Sequence, residues 1–333
     1  MMSFVVAVLA SFVLGFPVRS ALDRFKIVDR PGVRSSHVVP TARGGGLGFV
    51  GILLCALVIR GATEPMFYGV CVSAMALAFV SFVDDLRTVG AVPRLGVQTL
   101  AAGVASAALL AMDQSAITIA ALVVVAVVGC VGFTNAFNFM DGINGIAASH
   151  ATIAGLATHV LARAASRDPS VSELALVVAG SSAGFLPWNV PFARMFMGDV
   201  GSATLGFLLA TLVVFVVRDG GLGFVLPFAL IHAGFVLDTG ITFVRRLIRR
   251  EDVWSAHREH FYQRLVRTGV SHMTVTTTYT MLTLASAIAA CSIPSGSAAF
   301  AIGASAFVLV AWLGLFGYAE VRFRRLAPKA ASR

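Results

Sequence analysis

Apolar residues run along this chain in long blocks, separated by short polar segments. Eleven blocks stand out, at roughly 1–19, 44–60, 66–83, 95–112, 117–134, 146–164, 173–188, 202–217, 222–244, 273–292 and 298–317. A helix crosses the hydrocarbon of a bilayer with about 20 apolar residues. Within each block Val, Leu, Ala, Phe and Gly fall all round the helix rather than along one stripe, as burial in lipid or among other helices requires. No internal repeat, soluble domain or low-complexity linker interrupts the series. The pattern predicts an all-α, polytopic integral membrane protein with about 11 transmembrane helices, built as a single domain over residues 1–333. The first block, within "MMSFVVAVLASFVLGFPVRS", lacks a basic start and meets its first arginine only at Arg19, so it reads as an uncleaved span rather than a leader.

Composition agrees with the pattern. Hydrophobic residues make up 58% of the chain and charged residues 12%, against about 25% charged in soluble domains; the mean hydropathy is +0.88. The net charge of +9 could suggest a nucleic-acid partner, but the positions of the charges explain it otherwise. With the N-terminus outside and the C-terminus in the cytoplasm, 21 of the 25 Lys and Arg fall in inner segments, and only Arg60, Arg163, Arg167 and Arg218 lie outside. That is the bias by which cytoplasmic loops are recognised, so no nucleic acid is needed. Cys55, Cys71, Cys130 and Cys291 are scattered through apolar blocks without a CxxC pair, which excludes a disulfide framework and predicts buried structural thiols.

The outer loops are short and chemically plain, whereas five inner segments, 34–49, 84–94, 135–145, 189–202 and 249–268, carry groups that a simple connection does not need. In "RSSHVVPTARGGGLGF", Arg34, His37 and Arg43 could contact an anion or merely snorkel at the interface. Gly46, Gly48 and Gly51 spell GxGxxG, but a membrane block follows where a dinucleotide site needs a strand–helix–strand unit, so they are assigned to helix packing. Asp84 and Asp85 close an apolar block; a carboxylate costs about 2.5–3.5 kcal/mol at a helix centre in the membrane. Such a pair suits a divalent cation, a base of raised proton affinity, or a helix cap. Asn135, Asn138, Asp141 and Asn144 recur every third residue and so share one side of a helix or turn. Amide and carboxylate oxygens are ligands for hard cations, and amides also read nucleobase edges. Asp199, in "GDVGS" before a span, can hold a cation, and the helix start is expected to offer free N–H groups to phosphate oxygens. His257 and His260 lie three apart beside Arg258 and Arg264, and can move protons or bind anions; without HExxH or Cys they do not indicate zinc. His150, His159 and His232 fall inside blocks and are expected to be packed or hydrogen-bonded there. Carboxylates, amides, imidazoles and arginines on one membrane face predict a divalent metal, a phosphorylated polar substrate and a lipid acceptor, the inventory of phosphoryl transfer.

The set "RSSHVVPTARGGG", "DDLRTVG", "NAFNFMDGINGIAA", "FMGDVGSATLGF" and "AHREHFYQRL", in this order, resembles the polyprenyl-phosphate N-acetylhexosamine-1-phosphate transferase family over nearly the whole chain. "AHREHFYQRL" looks like the O-antigen-initiating branch; Phe261 and Tyr262 stand where the phospho-N-acetylmuramoyl-pentapeptide transferases have further His, and "PTARGG" departs from the usual PTPRGG. The resemblance implies transfer of an N-acetyl-sugar 1-phosphate from a UDP-N-acetyl sugar to undecaprenyl phosphate at the cytoplasmic face of a bacterial inner membrane, with UMP as the other product. It implies that Asp199 and Asn138 hold Mg²⁺, with Mn²⁺ as a substitute. Asp84 and Asp85 would sit by the lipid phosphate. Asp141 and Asn144 would contact the nucleotide, and Asn135 would belong to the substrate site. Arg43, Arg94, Arg258 and the His257–His260 segment would grip the diphosphate and sugar, with Asn189 nearby. A homodimer is compatible with it. The rival readings are a muramoyl-pentapeptide transferase, an ion-coupled transporter, whose acids would sit at paired midplane breaks, and a CDP-alcohol phosphotransferase, which needs an Arg that "DGINGIAA" lacks.

Overall fold

The computed structural model describes residues 1–31, 39–110, 116–166, 169–252 and 257–326; Arg34 and His37 lie outside them. In chain order the elements are α1 (Met2–Arg24), β1 (Val28–Asp29), β2 (Thr41–Arg43), α2 (Gly46–Gly61), α3 (Met66–Leu86), α4 (Ala91–Leu110), α5 (Ala116–Met140), α6 (Ile146–Ala165), α7 (Pro169–Asn189), β3 (Met195–Phe196), α8 (Gly198–Gly220), a 3₁₀ turn (Leu222–Phe224), α9 (Val225–Ile231), α10 (Ala233–Ile248), α11 (Phe261–Arg267), α12 (His272–Ser292) and α13 (Ala298–Leu326). Every predicted apolar block is helical over its described residues. Among the described residues seven helices are long and apolar enough to cross a membrane, namely α1, α3, α5, α7, α8, α12 and α13. The pair α9–α10, with the preceding 3₁₀ turn, is bent by 78° and makes an eighth only if taken as one span. Of the others, α2 has only 16 residues.

The bend was not legible as such, because residues 222–244 form one apolar block. It falls at His232, the residue between α9 and α10. There His150 of α6 meets it, Nε2 to Nδ1, at 3.0 Å, and the rings of Phe133 and Phe235 flank the pair. His159 pairs with the Ser172 hydroxyl at 2.7 Å, so all three histidines expected to be held inside blocks are held. The thiol expectation holds in part: Cys71 and Cys130 are buried and Cys291 half-buried, but Cys55 is exposed.

α8 is the most buried of the candidate spans. α3 and α5 pack against it, with Phe67 stacked on Phe215 at 5.0 Å. α1 lies along α7, tied to it by Ser11 donating to the Ser181 carbonyl and Trp188 Nε1 donating to the Phe12 carbonyl. Without water in the hydrocarbon, such interhelical bonds satisfy polar side chains that the bilayer cannot. By contrast, α5 and α13 keep most of their surface open to the surroundings.

One departure from an all-α reading positions the site. β1 pairs antiparallel with β2 (Val28 opposite Ala42), and β2 pairs parallel with β3 (Ala42 opposite Met195, Arg43 opposite Phe196). This small sheet fastens the start of α2 to the start of α8. A strand thus does precede the GxGxxG run, but the chain continues from α2 into the long apolar α3 rather than back to a neighbouring strand, and no dinucleotide unit forms.

Candidate active site

The end of α3 meets the beginning of α8. The Asp85 side chain is fully buried there. Its Oδ1 accepts from the Asp199 N–H at 2.8 Å, and its Oδ2 from the Val200 N–H at 3.0 Å. Arg43 Nε donates to Oδ1 at 2.7 Å. Asp85 therefore caps α8 from a different helix. The first N–H groups of a helix have no partner within it, and a carboxylate in front of them is favoured by both hydrogen bonding and the helix dipole. Gly198 opens α8 at a φ of +76°. A Cβ at Gly198 would come within 2.5 Å of Asp85 Oδ2, so the cap demands glycine here.

This arrangement corrects one expectation. The first N–H groups of α8 are not free for phosphate oxygens, because Asp85 occupies those of Asp199 and Val200. Both Asp85 oxygens are engaged at the helix start. Asp84, one residue earlier, points elsewhere. Its Oδ1 accepts from the Val89 N–H at 2.6 Å and its Oδ2 pairs with Arg94.

Asp199 lies between two arginines. Arg43 reaches its Oδ1 at 3.2 Å, and Arg94 its Oδ2 at 3.1 Å. Each arginine so bridges Asp199 to one member of the α3 pair. Burial alone would lower the proton affinity of Arg43, but Asp199 and Asp85 outweigh it and hold the guanidinium charged. Three carboxylates thus share two guanidiniums.

Beside this network is a cavity of about 240 Å³. Arg43, Asn138, Asp141, Asn144, Asn189 and Asp199 all line it, so the structure brings together six of the residues expected from sequence. Asn138 donates to Ser202 Oγ at 3.0 Å, which turns its amide toward the opening turn of α8. Asp141 follows α5. Burial, reinforced by Asp199 and Asp85 and only partly opposed by Arg43, pushes its carboxyl well above the usual carboxylate range. Asn144 donates to the Pro191 carbonyl at 3.0 Å. Asn189 accepts from the Gly145 N–H at 2.5 Å and donates to the Met195 carbonyl at 3.0 Å, so its amide pins two loops to each other.

The remaining expected residues stand apart from this cavity. Asn135 exchanges amide bonds with Gln98 of α4, at 2.6 and 3.3 Å, and also donates to the Val131 carbonyl. It borders a much smaller cavity on the other side of Asp199, between Arg94 and Asn138. Its amide serves the pairing of α4 with α5 in this structure. His257, Arg258 and His260 are not in the main cavity wall either. His260 is buried, with Nδ1 at 3.2 Å from Asp238 Oδ1. Asp238, fully buried in α10, also accepts from the N–H groups of Phe261 and Tyr262 and from the Tyr279 hydroxyl. It caps α11 as Asp85 caps α8. His257 is pushed down to about 4 by burial, with His260 and Arg246 adding to it, and is neutral at pH 7.

The histidine segment reaches the cavity through its neighbours. Tyr262 donates to the Phe139 carbonyl at 2.8 Å, and Gln263 supplies part of the cavity wall. Tyr262 Oη lies so close to Gly142 that a Cβ there would sit 2.0 Å from it. Sequence reasoning missed Asp29, Ser202, Gln263 and His272 in the wall, and the anchoring acid Asp238. Gln263 lay within a quoted motif; Asp29 and His272 carried no spacing signal.

The model of Glycosyl transferase family 4 matches residues 67–217, a range that holds Asp84, Asp85, the 135–145 segment and Asp199. A decaprenyl-phosphate N-acetylglucosaminephosphotransferase of Mycobacterium tuberculosis (strain CDC 1551 / Oshkosh) is 30% identical over 314 residues, covering 81% of this chain and 76% of the relative. The chain belongs to the polyprenyl-phosphate N-acetylhexosamine-1-phosphate transferase family. A further member it resembles is the "Probable undecaprenyl-phosphate N-acetylglucosaminyl 1-phosphate transferase" of Bacillus subtilis (strain 168), 27% identical with 81% of this chain and 78% of the relative covered. A phospho-N-acetylmuramoyl-pentapeptide-transferase of Moorella thermoacetica is 30% identical over a smaller share, 63% of this chain and 73% of the relative. Membership of a transferase family removes the ground for the transporter reading.

Proposed function

We propose that this protein is a sugar-1-phosphate transferase of the bacterial cytoplasmic membrane. It moves an N-acetyl-sugar 1-phosphate from a UDP-N-acetyl sugar to undecaprenyl phosphate and so initiates a cell-surface polysaccharide of the O-antigen type. An oxygen of the lipid phosphate forms a bond to the β-phosphorus of the nucleotide sugar. The bond from that phosphorus to the bridging oxygen breaks, and UMP leaves with the electron pair. The observation that carries the reading is the cavity in which Asp199, Asp141 and Asn138 meet Arg43 at the joint of α3 and α8. The residue range matched by the family model includes that joint.

The donor set fits Mg²⁺. Among the described residues no three carboxylates, imidazoles or thiolates converge as a ready cage. Mg²⁺ needs none, since it binds through one or two carboxylates and substrate phosphates and keeps several waters. Asp199 and Asn138 would hold it, with Asp141 beside them. Each Asp199 oxygen that accepts from an arginine retains a second lone pair. Asp141 adds a further carboxylate to the cavity wall that Asp199 and Asn138 share. When bound, the ion would neutralise charge on the transferred diphosphate. Arg43 and Arg94 orient Asp199 and add positive charge where phosphate oxygens must come. Asp84 lies by the incoming lipid phosphate as an electrostatic organiser, and Asp85 holds the start of α8 in place. Asp141, Asn144 and Asn189 shape the nucleotide end.

The packing of α11 favours this branch over muramoyl-pentapeptide transfer. Phe261 stacks on Phe316 at 4.5 Å, and Tyr262 wedges against Gly142, so two positions that would be imidazoles are packing residues. The orientation proposed is eleven spans in one transferase unit, N-terminus outside and cavity facing the cytoplasm, supported by the 21-to-4 split of basic residues. Asp199→Asn tests the metal role. The variant is expected to keep its unfolding transition in detergent and to stay inactive across a Mg²⁺ titration. Full activity in it would remove Asp199 from the mechanism.

A further inference from the structure

A second cavity, of about 410 Å³, opens between α10, α11 and α13. Its apolar wall is formed by Ile241 of α10 and by Leu313 and Phe316 of α13. Its far end carries Arg245, Glu320 and Arg324. α13 is among the least buried of the candidate spans, and Leu313 is 52% exposed, so this wall faces the surrounding lipid. The polar end is unbalanced. A single carboxylate, Glu320, pairs with three guanidiniums: Arg245 at 2.9 Å, Arg264 at 2.6 Å and Arg324 at 2.7 Å. Around it, residues 245–252, 257–267 and 320–326 hold ten arginines against four acids. Arg324 keeps 76% of its side chain exposed. Arg245 lies over the Phe261 ring at 4.8 Å, an arrangement that holds the guanidinium at the groove without neutralising it.

We propose that this groove binds an anionic phospholipid of the surrounding bilayer, with its phosphate between Arg245 and Arg324 and an acyl chain along Ile241, Leu313 and Phe316. A neutral lipid would leave the excess charge unanswered, and a soluble anion would leave the apolar wall bare. A phosphodiester on two acyl chains satisfies both. Basic pockets at the inner ends of spans attract such headgroups by about 1 kcal/mol for each arginine near the surface. The site is separate from the reaction cavity but shares α11 with it. Phe261 lines the lipid groove while Gln263, two residues on, lines the reaction cavity. An occupied groove therefore braces the element that carries Tyr262 against Gly142.

Lipid binding is read directly and does not depend on the proposed transferase reaction. Purified protein in neutral detergent is mixed with equal amounts of phosphatidylglycerol and phosphatidylcholine, and bound lipid is counted by native mass spectrometry. Wild type is expected to retain phosphatidylglycerol preferentially. Arg324→Gln, which alters an exposed side chain, is expected to weaken that preference about fivefold, and Arg245→Gln with Arg324→Gln about thirtyfold. Leu313→Trp, which fills the apolar wall and leaves every charge in place, is expected to reduce retention as well. No preference in wild type, or an undiminished one in Arg324→Gln and the folded double variant, would overturn the proposal. So would displacement of the lipid by an equal concentration of sn-glycerol 3-phosphate, which would reveal a plain anion site.

Discussion

Asp85 and Asp199 touch through one hydrogen bond, yet they do different work. Asp85 is enclosed, and both its oxygens serve N–H groups of α8 and the Arg43 guanidinium. Removing one partner of a buried, paired charge costs about 3–5 kcal/mol. Asp85→Asn is therefore expected to lose about 3 kcal/mol of stability in denaturant titration, together with activity. Asp199→Asn relieves one of three crowded carboxylates and is expected to destabilise less than Asp85→Asn while losing at least about a hundredfold in turnover. Equal destabilisation of the two variants would refute this division. A pH prediction follows from His257. Its imidazole titrates at about 4, so it carries no charge change between pH 5 and 8. The pH–rate profile of His257→Gln should keep the wild-type shape over that range, whatever its height. The candidate residues were legible because a carboxylate or amide at the edge of an apolar block is costly unless it is used. Which neighbour faces which way was not legible. Adjacent helical residues point about 100° apart, and only the position of α8 decides that Asp85 meets the helix end while Asp84 meets Arg94.

At the scale of elements, the site is held by helices that are capped from outside. Asp85 of α3 caps α8, and Asp238 of α10 caps α11. A seven-residue helix such as α11 has little stability of its own. Its place depends on Asp238 and on Tyr262 seated against Gly142. Gly142→Ala would put a methyl group 2.0 Å from Tyr262 Oη and displace α11 from the reaction cavity. Activity is expected to fall about tenfold or more, as misplacement of a positioning element does. Adding Tyr262→Phe to that variant removes the clashing oxygen and is expected to restore part of the loss. A double variant as impaired as the product of the two single effects would contradict the coupling. The helical blocks were read correctly because a long apolar run in this composition has one structural solution. The strands were not, since two or three residues carry no period. The bend at His232 was hidden because both of its arms are apolar, and the polar contact made there is with His150, more than 80 residues earlier.

For the whole molecule, the proposed orientation rests on the distribution of basic residues. Phe192, 85% exposed between α7 and α8, should lie in the cytoplasm, and Leu222, 78% exposed after α8, outside it. In a background freed of the four native cysteines, Leu222→Cys should react with an impermeant thiol reagent in intact cells, and Phe192→Cys only after permeabilisation. The reverse pattern would turn the protein over and place the cavity outside. The central claim is the reaction itself, and one assay tests it most directly: UMP release by purified wild-type protein given undecaprenyl phosphate, Mg²⁺ and a panel of UDP-N-acetyl sugars. The account predicts UMP only when lipid, metal and an accepted sugar nucleotide are all present, with a lipid-linked sugar diphosphate formed in equal amount. Folded protein that releases no UMP with any donor, or releases it without the lipid, would contradict it.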